Sequence, residues 1–228
     1  MCARYTLADP VRAWVKWLGR DPQLAGVRPR YNVAPTQPVP AIRGGREPVI
    51  LRWGLVPPWQ AEAKGARYIN ARVETLADQP AFRGALAQRR CVIIADGYYE
   101  WTGSKSRREP HRVVVDDGAS FGFAGLWERW RRGDQVVESW AIVTCPPSGD
   151  LAWLHDRMPV VLANDEAVEI WLQGDVADAL AVATTLPSDR TKVYPVSPAV
   201  NKVSADEPYL IEPVWVTDCY LPLGDDDA

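Results

Sequence analysis

The feature that most limits the fold is a succession of short β-branched and aromatic runs, each broken within a few residues by Gly, Asp or Pro. Such runs recur at Val49–Trp53, Cys91–Ala95, Val113–Val115, Phe121–Trp127, Val137–Thr144 and Met158–Leu162. Their length and punctuation predict strands, and the unbroken apolar run at 91–95 predicts a strand buried on both faces. Helical signals are fewer. Asp9-Pro10 supplies an N-cap and a first-turn proline, Val11, Trp14, Val15 and Leu18 share one face, and Gly19 stops the helix. Further helices are expected over about residues 75–88, from Asp165 to Leu172 and over Val176–Ala183. Strands and helices do not alternate, which argues against βαβ units. The expected architecture is α+β: a single domain with a mostly antiparallel, barrel-like sheet core and peripheral helices.

At 228 residues and 47% hydrophobic, the chain can bury one sizeable core, and disordered, collagen-like and coiled-coil classes are excluded. No apolar run approaches the ~20 residues of a membrane span. The first ten residues, MCARYTLADP, contain no apolar signal core, so a cytoplasmic protein is expected. Cysteines at 2, 91, 145 and 219 form no CxxC pair, and the only histidines, His111 and His155, are far apart. That pattern fits reduced thiols and implies neither a metal site nor a cofactor. The chain ends in Gly-Asp-Asp-Asp-Ala, so a domain over 1–215 and an acidic, mobile tail over 216–228 are expected.

The formal charge of -3 hides a polarity. Residues 1–112 hold 19 Lys/Arg against 9 Asp/Glu, and residues 113–228 hold 7 against 20. Of the 26 basic residues 21 are Arg, whose planar fork suits phosphates. In the basic half, Arg30-Tyr31-Asn32 and Arg52-Trp53 interleave Arg with aromatics. Such interleaving fits single-stranded nucleic acid, and equally a core aromatic with a charged rim.

Cys2 stands out by position. Removal of Met1 leaves an α-amine, with an ordinary pKa of about 7.7–8.0, beside a thiol. Such a 1,2-aminothiol condenses with an aldehyde to a Schiff base and closes to a thiazolidine. It could equally serve an N-terminal-nucleophile hydrolase. Glu100, in Gly97-Tyr98-Tyr99-Glu100-Trp101, lies among aromatics and is either a carboxyl with a raised pKa suited to acid–base work or a surface glutamate beside the edge of an aromatic core. His155, in His155-Asp156-Arg157-Met158-Pro159, is either a proton carrier or a structural histidine at a strand end. His111 reads as structural.

Taken in order, several segments resemble the SRAP family (SOS-response-associated peptidases, the abasic site processing proteins). They are Met1–Tyr5, Arg30–Pro35, Trp53–Pro57, Ile69–Thr75, Arg90-Cys91, Asp96–Trp101, Phe123–Trp127 and His155–Pro159, and the resemblance reaches about Val203. The one departure is Ala3, where the family usually has Gly. The resemblance implies a sensor of abasic sites in single-stranded DNA, monomeric, without cofactor or metal. Cys2 would join covalently to the ring-opened deoxyribose aldehyde. Asn70 would hold the terminal cysteine and the sugar, Glu100 would move protons, and His155 would contact the sugar and its phosphate. Arg4, Arg72 and Arg157 would bind phosphate, and Trp59 would stack on or wedge beside a base. Self-removal of Met1 would account for the peptidase label. The competing readings are a peptidase with no DNA role and a non-catalytic single-strand-binding module.

Overall fold

A computed structural model describes residues 2–19, 27–104 and 107–214. Its first elements are β1 (Tyr5–Leu7), α1 (Pro10–Leu18), β2 (Arg30–Val33), β3 (Pro38–Arg43), β4 (Glu47–Trp53) and β5 (Asn70–Arg72). Next come α2 (Arg83–Gln88), β6 (Arg90–Ala95), β7 (Gly97–Ser104), β8 (Arg107–Val115), β9 (Phe121–Arg132) and β10 (Gln135–Cys145). The last are β11 (Met158–Pro159), β12 (Val161–Leu162), α3 (Asp165–Gln173), α4 (Val176–Val182) and β13 (Thr191–Pro195).

The pairing of β3 with β4, β4 with β10, β10 with β9, β9 with β6 and β6 with β3 returns to its start, so these five strands close a barrel. Closure removes the exposed edges of an open sheet. Only β4–β10 is parallel within it. A second, wholly antiparallel sheet has the order β13-β8-β7-β1-β2. The α+β, mostly antiparallel, barrel-centred single domain expected from the strand pattern is the one observed. Every residue of β6 is buried, because barrel on one side and helix on the other leave it no wet face. Inside, Trp53 and Trp140 stack with centroids 5.3 Å apart, and Tyr5 meets Phe123 edge-on.

The chain crosses from barrel to second sheet through Asp96 alone, between β6 and β7. The Asp96 carboxylate accepts from the Thr6 hydroxyl, the Arg112 guanidinium and the Ala8 backbone N–H. Gly97 follows because a Cβ there would lie 2.7 Å from the Arg112 Nε.

Two helices depart from expectation. α1 has the expected Asp9 cap and a left-handed Gly19 stop, but it buries Pro10, Ala13, Trp14 and Trp17. Val11 and Val15 remain 55% and 46% exposed. Two indoles on the inner face remove far more apolar area from water than the valines would, so the helix turns toward them. The helix expected over 75–88 is only α2, preceded by a 3₁₀ turn at Val73–Thr75. Pro80 lacks a backbone donor and biases Gln79 away from helical dihedrals, so a continuous helix cannot form across it. The expected boundary at 215 and the acidic tail 216–228, with Cys219, lie outside the described residues.

Candidate active site

β1, β5 and β7 carry the sequence-predicted chemistry to one place. Tyr5 pairs with Tyr98 in the antiparallel β1–β7 ladder, and Tyr99 N donates to Arg4 O at 3.0 Å. Continuing that register toward the N-terminus sets Ala3 opposite Glu100. Asn70 arrives from the other side. β5 pairs in parallel with β10, Asn70 against Ile142, and the Trp53 indole N–H holds Ile69 O at 3.0 Å. Asn70 Nδ2 then donates to the Cys2 carbonyl at 3.0 Å. Asn70 Oδ1 is buried and meets no donor among the described residues.

Cys2 is fully buried, and its thiol donates weakly to Arg4 O at 3.7 Å. Burial first, and the Glu100 carboxylate second, push the thiol far above its ordinary range, so it is protonated at neutral pH. Glu100 has only 3% of its surface exposed. Burial pushes its carboxyl up to about 7, where proton donation and acceptance are balanced. Burial also lowers the His155 imidazole, the Asp156 carboxylate partly opposing it, so the neutral ring is favoured at neutral pH. Two groups compete for His155 Nδ1: the Arg157 backbone N–H at 3.1 Å and Asp156 Oδ1 at 2.6 Å. An unprotonated Nδ1 accepts from the fixed amide; a protonated one turns to the carboxylate. The contact therefore reports whether Nδ1 carries a proton, in either the neutral or the charged ring.

Glu100 and His155 line a cavity of about 510 Å³ whose wall also includes Ala3, Arg4, Trp101, Arg108 and Asn201. Trp101 donates its indole N–H to Asn201 Oδ1 at 2.6 Å. A larger hollow of about 640 Å³ by the start of α1 holds Asp9, Arg12, Lys16 and Asp116, and none of the predicted site residues.

Cys2, Asn70, Glu100 and His155 are thus brought together, and Arg4 with them. The Arg4 guanidinium is half spent inside the fold, donating to Asn32 Oδ1 at 2.8 Å and Val200 O at 2.7 Å. Arg72 is exposed on β5. Arg157 is nearly buried and clamped: Nη1 and Nη2 grip the two Glu74 oxygens at 2.6 and 2.9 Å, and Nη2 also reaches Thr144 O at 2.6 Å. That geometry is an internal tie joining the Asn70 and His155 segments. Trp59 is 58% exposed but sits in a separate groove with Pro58, Arg83 and Arg89. Arg108, Trp101 and Asn201 in the cavity wall were not singled out from the sequence as binding residues. Asn201 carries no local signal, since its role depends on a segment 100 residues from Trp101. The Arg30-Tyr31-Asn32 motif is structural: Asp206 accepts from Arg30 Nε and from the Tyr31 and Asn32 backbone N–H groups, while Asn32 Nδ2 holds three carbonyls of residues 200–205.

The SOS response associated peptidase (SRAP) model matches residues 1–203. The chain belongs to the SRAP family. The abasic site processing protein YoqW of Bacillus subtilis is 35% identical over 227 residues, spanning 93% of this chain and 99% of that protein. The abasic site processing protein HMCES of Xenopus tropicalis is 27% identical over 242 residues, spanning 90% of this chain and 72% of that protein. A crystal structure of a Bacteroides thetaiotaomicron protein superposes with a TM-score of 0.84 at 22% identity, covering 94% of this chain and all of that one, and so shares the SRAP fold. Among the described residues no group of three or more His, Cys, Asp or Glu could hold a metal ion, and no helix is long and apolar enough to cross a membrane.

Proposed function

We propose that this SRAP protein captures abasic sites in single-stranded DNA as a covalent adduct of Cys2, formed after Met1 has been removed. The observation that carries the reading is the Asn70 Nδ2–Cys2 O hydrogen bond of 3.0 Å, supported by the nearby Glu100 carboxyl, which burial pushes up to about 7. The names of the relatives YoqW and HMCES support the same substrate.

In the chain that retains Met1 the Cys2 nitrogen is an amide and cannot attack. Hydrolysis of the Met1–Cys2 bond, which the family name suggests is self-catalysed, creates the α-amine. That amine adds to C1′ of the ring-opened sugar aldehyde. Glu100 gives a proton to the departing hydroxyl, water leaves, and an imine remains. The thiol proton passes to a base of the site, the sulfur adds to C1′, and the imine nitrogen takes up a proton as the thiazolidine closes. The adduct is protein plus DNA less one water. Asn70 orients the Cys2 backbone, His155 steadies the sugar and shuttles a proton, and Arg4, Arg72 and Arg108 meet phosphates. The reading carries with it a cytosolic protein that works as a monomer without cofactor.

The test uses protein shown by intact mass to lack Met1, mixed with a uracil-containing single strand after uracil excision. A denaturation-stable protein–DNA species is expected, with the mass of both components less water, and Cys2→Ala should abolish it. Absence of the species from the Met1-free protein would overturn the reading. Peptide turnover without an adduct would establish the peptidase instead.

A further inference from the structure

Trp153 leaves most of its surface, 58%, in solvent. It is nevertheless held in place. Its ring meets the His111 ring edge-on, centroids 5.3 Å apart and planes at 85°. Leu154 N and His155 N both donate to Leu151 O, at 3.0 and 3.4 Å, closing the turn that carries the indole. His111 is the direct cross-strand partner of Glu100 in the β7–β8 ladder, so the two side chains leave the same face of the sheet. Two residues after Trp153, His155 forms part of the cavity wall with Glu100, Arg4 and Arg108. A braced, exposed indole is therefore linked, through His111 to Glu100 and along the chain to His155, to the wall of a cavity that supplies guanidinium groups.

We propose that Trp153 is the stacking platform for the nucleobase next to the abasic nucleotide. This rests on the abasic-site reading of the cavity. A missing base leaves its neighbour with one bare face, and a rigid aromatic surface can take the place of the lost stack. Such stacking tolerates any base, because every base presents a π-face. An indole fixed by His111 loses little freedom on binding, which favours this use over a mobile side chain. His111 is then a positioning residue that acts through Trp153.

The proposal is tested by fluorescence anisotropy on single strands carrying a central tetrahydrofuran nucleotide, which has no aldehyde and cannot cross-link. One strand has purines on both sides of it, and the other has further tetrahydrofurans there. Trp153→Ala is expected to weaken binding of the purine-flanked strand by about 5- to 150-fold, the range given by one base stack. Trp153→Phe should recover most of that loss. On the strand with base-less flanks the variants should fall within about twofold of one another. Unchanged binding of the purine-flanked strand by Trp153→Ala would overturn the platform. Equal loss on both strands would also overturn it, assigning Trp153 a purely structural role through His111. Cross-linking of the wild type to a genuine abasic strand is measured alongside. Its absence would sink covalent capture, while the anisotropy comparison would still decide for or against stacking.

Discussion

Glu100 is a carboxyl placed where ionisation is costly, and its consequences run in two directions. Burial lifts its pKa from an ordinary 4.5 to about 7, so the folded state holds the proton more tightly than the unfolded chain does. Its favourable contribution is complete below about 4.5 and is lost as pH rises to about 7. Glu100→Gln should therefore melt higher than the wild type at pH 8, with the difference closing by about pH 4.5, as thermal scans at the two pH values would read. In the proposed mechanism the same substitution removes the proton carrier. Adduct formation should slow by about 100-fold or more, and the inflection near pH 7 in the rate profile should vanish. Stability gained with activity lost is the signature of a residue kept for chemistry. Equal melting temperatures at pH 8 would deny the buried-charge account. The Cys2 thiol is held protonated by the same burial, and a thiol is less prone to oxidation than a thiolate.

At the level of elements, the Glu74–Arg157 tie connects the turn after β5 to the segment before β11 and so holds Asn70 and His155 in register. Its two ends are unequal, since Arg157 is nearly buried and the Glu74 side chain is 43% exposed. Glu74→Ala strands a buried cation, whereas Arg157→Met removes the charge and keeps the packing. Urea titration should find Glu74→Ala the more damaging, by about 1–2 kcal/mol against less than about 1 kcal/mol for Arg157→Met, after allowing for solvent around Glu74. The reverse order would mean that Arg157 acts chiefly through its aliphatic stem. The same tie shows the limit of what a local stretch of chain encodes. Asp9-Pro10 and Gly19 announce α1 because capping is local, and 91–95 announces β6 because full burial writes an unbroken apolar run. The inner face of α1 differs from expectation because Trp17 competes with Val11 and Val15, and only the neighbouring sheet decides between them. Cys2, Asn70, Glu100 and His155 are legible through their motifs. That Arg157 is spent on a carboxylate 83 residues away is not legible, because nothing in either segment encodes the other's position.

For the whole molecule, the charge polarity between halves of the chain does not become one broad basic face. Arg30 pairs with Asp206, Arg112 with Asp96, Arg89 with Glu128, and Arg46 with Asp165 and Glu169. Most of these pairs join the basic half to the acidic half, and they offset part of the apparent surplus. Few guanidiniums then remain for phosphate near the site, chiefly Arg4 and Arg108 in the cavity wall and Arg72 exposed on β5. Non-covalent binding of a single strand should accordingly fall with salt at a logarithmic slope of about -2, as expected for about three phosphate contacts. A slope steeper than about -4 would reveal an extended electrostatic track. The finished adduct should be indifferent to salt. The way the site is assembled also bears on when it can act. Asn70 and Glu100 lie on different sheets joined by Asp96, and Arg4 is held by carbonyls of Val200 and Asn201. Contacts of such sequence separation close late in folding. In the proposed mechanism, therefore, Cys2 is unarmed in a half-made protein, because the groups around it meet only once the chain to residue 201 is in place.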